Sequence, residues 1–170
     1  VTLYVAANAV MPTTAAPLTQ LTGTAIKTML QVATPSTRQL KVVAFGIEFA
    51  SALTAAATVE LVDTGTVAAT GLTAHVAAGV QPYGADSQSG ASDMTLGTGA
   101  TGYWTTGGPT EGTITSVRHG KYKNLPIGAT SYEWEWSLGR EFAVPVSHFL
   151  RIRVTTSVTI GVYCWILWDE

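Results

Sequence analysis

The run Val158–Trp168 limits the possible folds more than any other stretch. Successive side chains of an extended chain point to opposite faces. Val158, Ile160, Val162, Cys164, Ile166 and Trp168 line one face, while Tyr163, Trp165 and Leu167 make the other face apolar too. A strand wet on neither face needs cover on both: its own core on one side, and loops, an arm or another chain on the other. Just upstream, Leu150, Ile152 and Val154 alternate with Arg151 and Arg153, the pattern of a half-buried strand. A tight turn at Thr155–Ser157 joins the two, so the sequence predicts a closing hairpin.

Upstream, the same reasoning gives a series of short strands. Leu3–Val5 suits a short opening strand, and Ala6–Gly23 lacks any helical period. Its Pro12 and Pro17 disfavour central-strand pairing, so residues 1–23 are expected to form an extended N-terminal arm. In Thr24–Ala33, Ile26, Thr28, Leu30 and Val32 share a face opposite Lys27, Met29 and Gln31. Arg38–Ala50 is the longest strand, with Val43, Phe45, Ile47 and Phe49 on one side. Gly46 within it marks a bulge or a close backbone approach. Thr58–Asp63, Thr66–Thr70, Ala74–Ala78, Thr113–Lys121, Tyr132–Ser137 and Phe142–Val146 complete the set.

Between them, 81–112 is a Gly/Thr-rich loop insertion whose length points to function. Short strands, frequent turn signals and no helical period define an all-β chain. The expectation is one antiparallel β-sandwich over 24–170, jelly-roll-like, with that arm and loop.

Composition narrows the function. Only 12% of the 170 residues are charged, against about 25% in soluble proteins. That suits a surface largely covered in the working state. A net charge of −2 with no Lys/Arg run argues against a nucleic-acid partner. The uncharged start, broken by Asn8, Pro12 and Pro17, reads as neither signal peptide nor membrane span. The lone Cys164 reads as a core thiol.

No catalytic or metal-ligating set emerges. His75, His119 and His148 lie on separate elements without zinc spacing, and read as structural or surface histidines. Glu133 and Glu135 fall on one strand face about 7 Å apart. Glycosidase carboxylates, however, flank a cleft from different elements, so the pair reads as a wet face. Opposite them, Tyr132, Trp134 and Trp136 form an aromatic strip expected in the core, with sugar stacking as the alternative. No cofactor is expected.

Three blocks resemble the head decoration (cement) proteins of tailed bacteriophages, actinobacteriophages in particular. They are Thr24–Val43, Val59–Tyr83, and Val146–Val154 with the closing WILWDE, about a third of the chain. The resemblance implies a structural, non-enzymatic β-sandwich, made in the host cytoplasm and bound to the outside of the virion capsid. There it would clamp major capsid protein subunits together, as a homotrimer or, second, a monomer. The alternative from a different class is a carbohydrate-binding module, displayed on a virion surface. The arm and the loop are the expected contact segments, through Val10, Met11, Leu18 and Leu21 and through Met94, Leu96, Tyr103 and Trp104.

Overall fold

In the computed structural model of the chain, residues 2–10, 14–84, 90–105 and 109–170 are described. Among them the chain forms β1 (Leu3–Ala7), β2 (Gln20–Leu21), β3 (Lys27–Ala33), β4 (Leu40–Phe49), β5 (Ala57–Asp63) and β6 (Thr73–Ala74). After a 3-10 turn at Ala77–Gly79 come β7 (Val80–Pro82), β8 (Gly102–Tyr103), β9 (Arg118–Leu125) and β10 (Ser131–Glu135). The last three are β11 (Phe142–Val144), β12 (Phe149–Thr156) and β13 (Gly161–Asp169). The first sheet runs β10–β4–β13–β1–β7, with β11 on β4 and β2 on β13. The second runs β6–β8–β3–β12–β5–β9. The ladders are antiparallel, and the predicted all-β, two-sheet architecture is what forms.

The core lies between the sheets. Leu150, Ile152 and Val154 of β12 meet Val162, Cys164, Ile166 and Trp168 of β13 there, all fully buried. This overturns the expected closing hairpin: β12 pairs with β3 and β5, and β13 with β4 and β1. The turn after Thr156 therefore crosses from one sheet to the other. Each strand is central in its own sheet, so their apolar faces bury against each other instead of lying side by side.

Two bulges reset the simple alternation. The β12–β3 register shifts at Ile152/Arg153, so Thr28 opposes Arg153 on the outer face while Met29 enters the core. The β13–β4 register shifts at Leu167/Trp168. Val42 thereby opposes Trp168 inside, and the expected core residue Val43 is left partly exposed. An extra residue in one strand is the ordinary cause of such a switch.

The N-terminal segment also departs from expectation. β1 lies within the first sheet between β13 and β7, so residues 1–23 are not one arm. Small uncharged residues let this strand fit: Ala6, Ala7, Asn8 and Ala9 are buried. Asn8 extends the ladder with its side chain. Its Nδ2 donates to the Val162 carbonyl (2.9 Å) and its Oδ1 accepts from the Cys164 amide (2.9 Å). The chain rejoins β13 at β2 and Thr22, whose amide donates to the Ile160 carbonyl. What is left of the arm among the described residues is Val10 and 14–19, which belong to no strand.

Candidate functional site

The outer face of the second sheet is polar, and the chain seals it. Arg151 and Arg153 alternate with the core residues of β12 as the pattern requires, yet both are buried. Arg151 Nη1 donates to the Glu111 carbonyl (3.0 Å) and to Glu111 Oε2 (3.1 Å), and Nη2 donates to the Val67 carbonyl. Burial pulls the Arg151 pKa below its ordinary value, and the Glu111 carboxylate opposes that pull. Glu111 also accepts from the Thr28 amide (2.7 Å) and hydroxyl (2.6 Å). Beside it, Gln31 donates to the Ala100 carbonyl (2.7 Å) and accepts from the Ala69 amide (2.8 Å). Arg153 pairs with Glu60 at 2.8 Å, and Glu60 also meets His119 at 3.0 Å. Buried polar groups carry their full desolvation cost unless they find partners. Here the residues after β5 and the long loop supply partners for Arg151, Thr28 and Gln31, and Glu60 of β5 supplies one for Arg153, while Arg151 Nε and Arg153 Nε are buried without a partner among the described residues.

That arrangement corrects the expected role of the loop anchors. Met94, Tyr103 and Trp104 are buried within this chain, and Trp104 donates its amide to the Met29 carbonyl. Lys27 Nζ lies 4.1 Å from the centre of the Trp104 ring. Large apolar groups in a Gly-rich loop found their cover in the second sheet of the same chain. Leu96 alone of the four named loop residues is exposed, at 37%.

The outer face of the first sheet is different. Register places Ala7, Trp165, Gly46 and Glu133 in one row, and Val5, Leu167, Ala44 and Glu135 in the next. Tyr163 and Glu48 pair in a third. Leu3, Val5, Tyr163 and Trp165 stay partly exposed, and Glu48, Glu133 and Glu135 are exposed. The Trp165 indole lies flat over Gly46. A Cβ at residue 46 would come within 2.7 Å of the ring, so the glycine permits a close approach, as its place in the strand suggested. At one end of this face, Leu3, Val43, Glu135, Trp136, Leu138, Glu141 and Asp169 line a groove of about 220 Å³.

Of the arm residues, Val10, Leu18 and Leu21 are each more than half exposed. Met11 lies outside the described residues. Tyr132 and Trp136 are partly buried against the core, where both rings contact Phe45. Trp134 sits at the rim, 39% exposed, with Lys121 Nζ 3.2 Å from its ring centre. The strip is thus not a flat open platform: two rings pack inward and a cation occupies the third. Glu133 and Glu135 point to the other side, where Glu135 shares the groove with Glu141 and Asp169.

The histidines are tied into the structure. His75 Nε2 bonds the Ala7 carbonyl at 2.7 Å and its ring packs on Tyr103. His148 Nδ1 meets Asp63 at 2.9 Å. Burial raises the Cys164 thiol pKa strongly. Among the described residues, no group of three or more His, Cys, Asp or Glu is placed to hold a metal ion. Sequence reasoning missed the Arg151–Glu111 clamp, whose two halves are separated in the chain by three strands, β9, β10 and β11. Compared with known protein families, curated proteins and solved structures, the chain matches none.

Proposed function

We propose that this chain is a structural decoration protein of a bacteriophage head. It binds the outer surface of the assembled capsid and stabilises contacts between major capsid protein subunits. The observation that carries this reading is the exposure of Val10, Leu18 and Leu21 ahead of and within β2. These three are each more than half exposed and fall close together in sequence, whereas other exposed apolar residues such as Val76, Ile127 and Leu138 are scattered along the chain. Burying such a side chain is worth about 1.5–3 kcal/mol, so a neighbour that covers all three gains substantially. The low charge of the chain and the resemblance of its sequence blocks to cement proteins support the same reading. The carbohydrate-binding alternative finds less support, because Lys121 already occupies the Trp134 ring.

Assembly as a homotrimer is the arrangement this reading carries, with a monomer second; light scattering on the purified chain decides between them. A stable attachment buries about 1,000 Å² or more in total. The test replaces Val10, Leu18 and Leu21 by serine and measures cosedimentation with empty heads of the major capsid protein from the same genome. Deleting residues 1–23 is unsuitable, because it removes β1 from the middle of a sheet. Wild type filling the heads while the triple variant stays in the supernatant supports the proposal. Equal binding of both, or no binding by wild type, contradicts it.

A further inference from the structure

The first sheet collects acidic groups on one face, and the chain has little to answer them. Glu48, Glu133 and Glu135 stand on the outer face, and none of the three is in an ion pair among the described residues. Glu135 also lines the groove, with Glu141 and Asp169. Asp169 Oδ1 is buried there without a hydrogen-bond donor among the described residues. A buried acceptor left unpaired is costly.

The cations of the chain are engaged elsewhere. Arg38, Arg118, Arg151 and Arg153 are in ion pairs, and Lys27 and Lys121 rest on Trp104 and Trp134. Lys41, Lys123 and Arg140 remain, and of these Lys41 belongs to the acidic face itself, opposite Asp169. A second copy of this chain therefore offers no basic patch to match the face. A nucleic acid would be repelled by it.

We infer that the outer face of the first sheet, with its groove, docks a partner protein that presents lysine or arginine side chains around an aliphatic patch. The aliphatic patch seats on the partly exposed Val5 and Trp165. One basic side chain enters the groove, its stem along Leu3, Val43 and Leu138 and its charged end among Glu135, Glu141 and Asp169. Long basic side chains suit such a site because their stems are apolar and their ends charged. Leu138, 96% exposed on the lip, closes over the stem. The partner is the capsid subunit, so the inference rests on the attachment reading for the partner's identity. It adds the surface and the chemistry.

The test uses empty heads of the major capsid protein from the same genome, with three forms of the full chain. These are wild type, Glu133→Gln with Glu135→Gln, and a control with Thr113→Lys and Thr115→Lys. The control changes net charge equally, at exposed residues away from the first sheet. We expect the double glutamine variant to bind about fivefold or more weakly, and the control to bind like wild type. Wild-type affinity should also fall between about 0.05 and 0.5 M salt, less so in the glutamine variant. Wild-type binding by the glutamine variant overturns this inference and leaves the attachment reading standing. Equal weakening of variant and control overturns it too, because bulk charge then suffices. Failure of wild type to bind the heads overturns both.

Discussion

On the second sheet the outward side chains include Arg151, Gln31 and Thr28, over which the chain folds its own loop, and Arg153 and Glu60, which pair with each other. On the first sheet they are Tyr163, Trp165 and Val5, which stay partly exposed with three carboxylates beside them, and Leu167, which is buried. The difference follows from what each face would cost if left uncovered. A buried guanidinium needs its partners as soon as the chain folds, so they must come from the same chain. An apolar face is merely less favourable in water, and it can wait for another molecule. The loop-covered face is thus built for folding, and the open face is the one proposed to take a partner.

The largest effect should come from breaking the clamp. Glu111→Ala leaves the wholly buried Arg151 side chain without its carboxylate, and we predict a loss of about 3–5 kcal/mol in urea unfolding. A loss below about 1 kcal/mol would mean that the loop does not seal this face. Next comes the open face. Gly46→Ala puts a Cβ within 2.7 Å of the Trp165 ring, which must move. We predict a cost of about 1–3 kcal/mol and a red-shifted tryptophan emission. Adding Trp165→Ala should recover part of that cost, because the two residues touch.

A smaller, pH-dependent effect should arise where the two sheets are tied together. His75 reaches from the loop-covered side to Ala7 of β1, and burial lowers its pKa despite the opposing bond to the Ala7 carbonyl. As pH falls past about 6.5 the unfolded chain takes up this proton before the folded one does. The contribution is therefore complete above that pH and lost below it, at most about 1.4 kcal/mol per pH unit for one proton. Thermal melts of wild type and His75→Gln between neutral and acid pH should diverge accordingly, with the variant the less acid-sensitive. The smallest effect belongs to exposed groups: Leu138→Ser should change stability by no more than about 0.5 kcal/mol. A larger loss would place Leu138 in the fold instead of on a contact surface.

Much of the fold was legible because alternation is a local signal. The inward sets of β12 and β13, the strand around Phe45 and Ile47, and the close approach at Gly46 all follow from neighbouring residues. What was not legible depended on distance along the chain. The arginines of β12 read as a wet face because nothing near them in sequence announces that Glu111 and Val67 will cover them. Met94, Tyr103 and Trp104 read as apolar groups needing a partner, which was correct, but the partner was their own second sheet. The hairpin reading of the last two strands failed for a related reason. A short turn fits a pair within one sheet and a crossover between two equally well, and only packing of both apolar faces decides. The acidic pattern of the open face required β10 to lie beside β4, which no local pattern specifies.

One outer face is covered by the chain's own loop and the other is left partly open. Hydroxyl-radical footprinting of the free chain tests that difference most directly, read residue by residue by mass spectrometry. Trp165 and Tyr163 should oxidise faster than the buried Met94, Tyr103 and Trp104, which should be strongly protected. On binding to heads, Trp165 and Tyr163 should become protected while the loop residues do not change. Oxidation of Met94 and Trp104 as fast as Trp165 in the free chain would contradict it, as would a head-bound chain whose Trp165 stays open.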